Sequence, residues 1–252
     1  MKQKIALITG GSRGLGKSAA LNLAAQGVDI ILTYHSKRLE AELVVAEIQA
    51  MGRHAIALQL DAGNVASFAG FTAEVNIALE QTWQRRDFDF LVNNAGIGAH
   101  ASFAETTEAQ FDELLKIQFK GVFFLTQALL PLIADHGRIL NVSTGLTRFA
   151  LPGYSAYAAM KGAIEVLTKY LAKELGPRGI AVNVIAPGAI ETDFGGGSVR
   201  DNAQVNSFVA SQTALGRAGL PDDIGGAIAA LLSDGSSWIN AQRIEASGGM
   251  FI

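Results

Sequence analysis

The chain has 252 residues, of which 49% are hydrophobic, 17% are charged and 28 are glycine, and its formal net charge is −3. It contains no cysteine, which excludes disulfide bonds, zinc–thiolate sites and cysteine nucleophiles. The small negative charge without a basic cluster argues against nucleic acid as a partner, and no apolar run is long enough to span a membrane. We therefore expect a cytoplasmic protein that binds neither nucleic acid nor membranes.

Short apolar runs rich in β-formers alternate with helical patterns along most of the chain. The early runs are almost continuous in isoleucine, leucine and valine, as expected of strands covered on both faces. The candidate strands are 5–9, 28–33, 55–60, 90–93, 138–142, 181–185 and 243–246, and the candidate helices are 15–26, 37–51, 64–82, 108–131, 157–176 and 221–233. This alternation predicts an α/β fold, a single Rossmann-type, doubly wound domain over residues 1–252, with a seven-stranded, mostly parallel sheet and helices on both faces.

A glycine-rich turn joins the first candidate strand to the first candidate helix. Residues 9–16 read Thr-Gly-Gly-Ser-Arg-Gly-Leu-Gly. Glycines at this point allow a tight turn and let backbone N–H groups approach a pyrophosphate at the helix N-terminus. The context of strand, turn and helix favours a dinucleotide site over the alternative, a strand-end turn without a ligand.

Tyr157 and Lys161 are four residues apart in a helical pattern, which places them on one face, one turn apart. A fixed ammonium near a phenol favours the phenolate and lowers the phenol pKa, so that the tyrosine can exchange a proton with a reacting oxygen. The alternative is an ordinary amphipathic helix with a surface lysine. The four histidines have no recognisable Asp or Ser partner, so a hydrolase triad is not supported.

The spacing of Thr9, Gly10, Gly14 and Gly16 resembles the fingerprint of the short-chain dehydrogenase/reductase family. The resemblance recurs in order at Asn93-Asn94-Ala95-Gly96, at the Tyr157–Lys161 pair and at Pro187-Gly188, and it covers nearly the whole chain. It is closest to the bacterial beta-ketoacyl-acyl-carrier-protein reductase branch. Because many enzymes of that branch have unknown substrates, it does not imply an acyl-carrier partner.

The resemblance implies an oxidoreductase that transfers hydride between a nicotinamide and a small-molecule carbonyl or secondary alcohol, with Tyr157 as the proton donor or acceptor. It implies no metal. The residues it implies for cofactor binding are Gly10, Ser12, Arg13, Gly14, Leu15, Gly16, Tyr34, His35, Ser36, Arg38, Asp61, Ala62, Asn93, Ala95, Gly96, Tyr157, Lys161, Pro187, Gly188, Ile190 and Thr192. Alternatives remain at three of these places, since Asp61 can cap a helix, and the segments 93–96 and 187–188 can each simply close a strand.

The residues after the second candidate strand favour NADP(H) over NAD(H). The chain there reads Thr-Tyr-His-Ser-Lys-Arg, and the first acidic residue is Glu40. An NAD-selective site would have an acid here for the ribose 2′-hydroxyl, whereas a 2′-phosphate requires cations and hydroxyl donors. Ser36, Lys37 and Arg38 can supply these, and Arg13 resembles the basic residue of NADP-preferring relatives. The alternative is that these cations only form a solvated surface.

Ser143 and Thr144 end the fifth candidate strand. The resemblance implies a hydroxyl thirteen residues before the tyrosine that hydrogen-bonds the substrate carbonyl, and that position is Thr144. Because neighbouring strand residues point to opposite faces, only one of the two hydroxyls is expected to reach the site, and we favour Thr144. The same resemblance implies an asparagine in a proton relay to the lysine, at a position occupied here by Gln118.

Residues 191–220 form the one long irregular segment of the sequence pattern, and we predict that they form a substrate lid. The resemblance implies a homotetramer or homodimer that assembles through the long helices 108–131 and 157–176. A second hypothesis is a sensor or scaffold protein that binds a dinucleotide without catalysis, which the presence of Tyr157 and Lys161 disfavours.

Overall fold

Seven parallel strands form one sheet in the computed structural model, which describes residues 3–252. The strands are β1 (Ile5–Ile8), β2 (Asp29–Tyr34), β3 (Ala55–Gln59), β4 (Phe88–Asn93), β5 (Ile133–Val142), β6 (Ala181–Pro187) and β7 (Arg243–Ala246). Their order across the sheet is β3-β2-β1-β4-β5-β6-β7. The chain first moves outward from β1 to β3 and then returns to β4 beside β1. The order therefore reverses between β1 and β4, where open α/β sheets bind ligands at the carboxyl ends of the strands.

Helices cover both faces of the sheet and bury two separate apolar clusters. The helices are α1 (Gly14–Ala25), α2 (Arg38–Ala50), α3 (Phe68–Trp83), α4 (Glu108–Leu114), α5 (Val122–Leu129), α6 (Ser155–Leu175), α7 (Ser198–Asp201), α8 (Ala203–Ser211) and α9 (Pro221–Leu232). One cluster joins α1, α2 and α9 to the sheet, and the other joins α3, α5 and α6 to the opposite face. The predicted doubly wound fold is confirmed.

The predicted elements agree with the structure to within two residues except in four places. The predicted helix 64–82 begins at Phe68, after a 3₁₀ turn at Val65–Ser67. The predicted strand at 138–142 begins at Ile133. The segment 191–220, predicted to be irregular, contains α7 and α8. The predicted helix 108–131 is interrupted, because a π-helical segment, Leu115–Gly121, separates α4 from α5. At its end Gly121 lies so close to the Ala62 carbonyl oxygen that any added Cβ would overlap it. Within residues 3–252, no helix is long and apolar enough to cross a membrane.

Candidate active site

The glycine-rich turn leads directly from β1 into α1. Gly10 and Gly14 have φ angles of +67° and +55°, in the left-handed region that favours glycine. At Gly16 an added Cβ would overlap the Gly10 carbonyl oxygen. The first turn of α1 has no acidic residue, and the N-cap residue Arg13 makes no side-chain cap hydrogen bond. The helix N-terminus therefore has N–H groups without a side-chain cap, and these fit a pyrophosphate.

The turn after β4 is hydrogen-bonded to the glycine-rich turn. The Thr9 hydroxyl accepts from the Asn94 and Ala95 backbone N–H groups at 3.0 and 2.9 Å. The Asn94 side chain donates to the carbonyl oxygens of Thr9 (2.8 Å) and Gly10 (3.1 Å). Asn94 thus holds the two turns together, a role that the sequence pattern did not single out. The Asn93 side chain is buried and donates to Thr126 and Asn141, so only its main chain is available to a cofactor.

The other predicted cofactor residues follow the carboxyl ends of β2, β3 and β6. His35, Ser36 and Arg38 are exposed, and the Arg38 guanidinium pairs with Glu42 at 2.7 Å. The Asp61 carboxylate accepts from the Gly63 backbone N–H at 2.9 Å within a turn, so Asp61 is not the N-cap of the following helix, and this bond does not exclude a ligand contact. Arg13 lies 3.6 Å from the Asp193 carboxylate, an ion pair between the glycine-rich turn and the predicted lid. The remaining members are Gly10, Ser12, Gly14, Leu15, Gly16, Tyr34, Ala62, Ala95, Gly96, Pro187, Gly188, Ile190 and Thr192, and the structure places them along this same edge of the sheet.

Tyr157 and Lys161 are both buried on the first turns of α6. The Lys161 ammonium donates to the Val142 carbonyl oxygen at the end of β5, at 2.8 Å. It lies 5.8 Å from the centre of the Tyr157 ring. The helix therefore directs both groups toward the carboxyl end of β5, as the four-residue spacing predicts.

The net effect of the surroundings on the Tyr157 phenol is opposite to the lowering of the pKa that the spacing predicts. Burial raises the pKa of the Tyr157 phenol above its ordinary value, and a hydrogen bond with the Thr144 hydroxyl opposes this shift only in part. Burial also lowers the pKa of the Lys161 ammonium to about 8. In both cases the largest cause is desolvation, which disfavours the charged form of each group. A phenol with a raised pKa remains protonated at neutral pH, which is the state that a proton donor requires.

The two hydroxyls at the end of β5 point in different directions. The Thr144 hydroxyl faces the Tyr157 phenol and partly offsets the effect of burial on its pKa, and it accepts from the Leu146 backbone N–H at 3.3 Å. Ser143 instead donates to the Glu165 carboxylate at 2.7 Å. The two hydroxyls therefore have different partners, and the role of Thr144 as the catalytic hydroxyl stays a prediction.

Glu165 and Arg243 form an ionic cluster behind Thr144. The Arg243 guanidinium donates to Glu165 at 2.8 Å and to the Thr144 carbonyl oxygen at 3.1 Å. Arg243 lies on β7, so the cluster links the last strand to α6 and to the main chain of Thr144. Neither charged residue was identified from the sequence, because their partners are distant along the chain.

Gln118 is completely buried in the π-helical segment. Its side-chain nitrogen donates to the Ile97 carbonyl oxygen. An added Cβ at Gly96 would lie 2.8 Å from the Gln118 amide oxygen, so the amide occupies the space beside that glycine. The structure thus places Gln118 against the turn after β4 rather than in contact with Lys161. Its role in a proton relay stays a prediction.

Comparison with known proteins decides the family. A family model described as Enoyl-(Acyl carrier protein) reductase matches residues 10–251. The 3-oxoacyl-[acyl-carrier-protein] reductase FabG of Staphylococcus aureus is 35% identical over 251 residues, which cover 99% of this chain and 98% of that protein. The chain belongs to the short-chain dehydrogenase/reductase family. The predicted family and FabG-like branch are confirmed, and with them an NAD(P)-dependent oxidoreductase.

Solved structures of this dehydrogenase/reductase family superpose closely on the chain. The angucycline C-6 ketoreductase LanV with bound NADP has a TM-score of 0.93 at 32% identity, covering 98% of this chain and 95% of its own. The promiscuous reductase LugOII, which catalyses keto-reduction at C1 during lugdunomycin biosynthesis, has a TM-score of 0.93 at 34% identity, covering 99% of this chain and 98% of its own. Among residues 3–252, no group of His, Asp and Glu side chains is arranged to hold a metal ion.

Proposed function

We propose that this short-chain dehydrogenase/reductase is an NADPH-dependent carbonyl reductase that also catalyses the reverse oxidation of a secondary alcohol. The observation that carries the proposal is the arrangement of Thr144, Tyr157 and Lys161 at the carboxyl end of β5, beside the glycine-rich turn. These groups are the parts that proton transfer to a carbonyl oxygen requires. The ketoreductases LanV and LugOII, which share the fold at above 30% identity, support the reaction class.

Residues of the chain itself donate the proton and orient the substrate. Tyr157 donates its proton to the carbonyl oxygen, and Thr144 hydrogen-bonds the same oxygen and polarises it. The Lys161 ammonium stabilises the phenolate that remains. When bound, NADPH supplies the hydride that reduces the carbonyl carbon. The N-terminus of α1 and the turns after β1 and β4 are the parts of the chain that would hold this cofactor.

The preference for NADP(H) rests on the charges after β1 and β2. Arg13, Ser36, Lys37 and Arg38 are available there, and no acidic residue lies between the end of β2 and Glu40. The present ion pairs of Arg13 and Arg38 are exposed, so their replacement by a phosphate costs little. Structures of family members with bound NADP are consistent with this preference.

Oxidation of NADPH in the presence of a panel of ketones, aldehydes and ketoacyl thioesters tests the proposed function. We expect turnover with at least one ketone and a higher kcat/KM for NADPH than for NADH. If NADPH binds tightly and no carbonyl compound is reduced, the sensor or scaffold hypothesis is correct instead. If NADH is the better reductant, the cofactor preference is wrong while the reaction class stands.

Substitution of the two neighbouring hydroxyls provides a matched pair of variants. Thr144→Ala is expected to lower kcat by about 10²-fold, because it removes one hydrogen bond to the developing oxyanion. Ser143→Ala is expected to leave kcat within a few-fold and to lower the free energy of unfolding by about 1 kcal/mol, because Glu165 loses a hydrogen bond. Steady-state kinetics and urea unfolding of both variants check this. Equal losses of kcat would contradict the assignment of Thr144.

We also propose that the chain forms a homodimer or homotetramer through the exposed apolar face of α4, α5 and α6. The exposed residues of this face are Phe111, Phe123, Phe124, Val166 and Tyr170. Apolar patches of this kind mark interfaces, and a second copy presents the same patch. Val166→Asp is expected to reduce the mass measured by light scattering. The matched control is Ile77→Asp on α3, at an equally exposed apolar position. A mass unchanged by Val166→Asp would exclude this interface.

A further inference from the structure

An aromatic ring from the lid segment lies against the tyrosine. The rings of Phe194 and Tyr157 are 5.9 Å apart, at an angle of 55°. Across from the lid, an added Cβ at Gly98 would lie only 2.8 Å from the Phe194 ring. Phe194 therefore reaches from the lid segment to the turn after β4. Its ring packs against Gly98, where any side chain larger than that of glycine would collide with it.

The backbone just before Phe194 is held by hydrogen bonds and ion pairs. Its N–H donates to the Thr192 hydroxyl at 3.1 Å, and the preceding carboxylate of Asp193 pairs with Arg13 and Arg200. The next three residues, 195–197, are glycines with φ between +61° and +77°. These bonds fix the start of the segment, and the left-handed glycines turn the chain away after the ring. The ring is nevertheless 48% exposed, so it forms a wall of the cleft and not part of the core.

The other flank of the Tyr157 turn is open and apolar. A cavity of about 290 Å³ lies there, and its lining includes Phe103, Leu146, Leu151, Pro152 and Tyr154. Leu146 also packs against the cluster that contains Tyr157, so the cavity adjoins the tyrosine. Two of the lining residues are Tyr154 and Ala158. Viewed down the axis of α6, both are displaced from Tyr157 in the same direction. Phe194 does not line this cavity.

We propose that Phe194 determines substrate specificity by limiting the substituent on one side of the reacting carbonyl. The substrate class is an unsymmetrical ketone, with a small substituent on the Phe194 side and a bulky apolar group, such as a ring, in the cavity of about 290 Å³. The inference rests on the proposed function, because it takes the Tyr157 hydroxyl as the position of the carbonyl oxygen. A longer substituent on the small side would have to displace the ring from Gly98.

Aryl ketones of increasing chain length test this inference. The kcat/KM values for acetophenone and butyrophenone are measured for the parent enzyme, for Phe194→Ala and for the control Ile77→Ala. The parent is expected to prefer the methyl ketone, and Phe194→Ala to reduce that preference by about tenfold, in the range that an apolar pocket gives for added methylenes. The control should keep the parent ratio, because Ile77 is an exposed residue on α3, remote from the site.

Gly98→Ala, alone and combined with Phe194→Ala, tests whether the contact between these residues sets the ratio. Because the added methyl group must move the ring, we expect Gly98→Ala to change the ratio in the parent and to have no further effect when Phe194 is absent. A ratio that Phe194→Ala leaves unchanged, or equal effects of Gly98→Ala in both backgrounds, would overturn the inference. If the parent reduces no ketone at all, the proposed function fails instead.

Discussion

Tyr157→Phe is expected to lower kcat for ketone reduction by about 10²–10⁴-fold, the range that general acid catalysis contributes. The substitution removes the hydroxyl and keeps the ring that packs against Leu114 and Met160. Folding and NADPH binding should therefore be preserved. Steady-state kinetics measures the loss, and a fluorescence titration with NADPH measures the binding.

The matched control for this variant is Tyr170→Phe, which removes the same hydroxyl from an exposed position on the same helix. Its kcat should equal that of the parent within experimental error. Full activity of Tyr157→Phe would refute the assignment of the proton donor. A large loss of NADPH binding would show that the substitution acts on the cofactor site and not on proton transfer.

Lys161→Met is expected to abolish reduction and, at neutral pH, to make the protein more stable. Burial lowers the pKa of this ammonium from 10.5 to about 8, so the folded protein pays a desolvation penalty for the charge. The shift corresponds to roughly 3 kcal/mol. The lost hydrogen bond to Val142 offsets about 1 kcal/mol of the gain. We therefore expect the free energy of unfolding to rise by about 1–3 kcal/mol.

The pH dependence of stability identifies the cause of this gain. Below pH 8 the lysine is protonated in both states, and the full penalty is present. Between pH 8 and 10.5 the unfolded chain binds the proton and the folded protein has released it, so the stability of the parent rises with pH. The advantage of Lys161→Met should thus be largest below pH 8 and disappear by about pH 10.5. Urea unfolding at several pH values measures it.

Lys169→Met serves as the control, because Lys169 is an exposed lysine on the same helix. Its stability relative to the parent should not depend on pH across this range. If Lys161→Met is less stable than the parent at pH 7, the hydrogen bond to Val142 outweighs the desolvation of the ammonium. The structural role of Lys161 would then exceed its electrostatic cost.

The local pattern of the chain was sufficient to predict the sheet and the residues at its carboxyl edge. The glycine-rich turn, the Tyr157–Lys161 spacing and the strand-end hydroxyls all depend on neighbours within a few residues. Strand alternation predicted that only one of Ser143 and Thr144 reaches the site, and the family resemblance favoured Thr144; in the structure the two side chains have different partners.

What the sequence did not predict depends on partners distant along the chain. Glu165 and Arg243 are 78 positions apart, and only the pairing of β6 with β7 brings Arg243 beside α6. The π-helical segment around Gln118 has no signature in helix propensity, and its last residue, Gly121, lies against Ala62, which is distant along the chain. The raised pKa of Tyr157 depends on burial, which the four-residue spacing does not reveal.

The alignment of α6 with the end of β5 also restricts where insertions and deletions can occur in the chain. Tyr157, Lys161 and Glu165 occupy three successive turns of α6, and they meet Thr144, Val142 and Ser143 in turn. Inserting or deleting one residue between 157 and 165 would rotate one end of this series by about 100° relative to the other. At least one of the three contacts would then be lost. Homologous sequences should therefore show no gaps in this interval, whereas the segment 191–220 can vary in length.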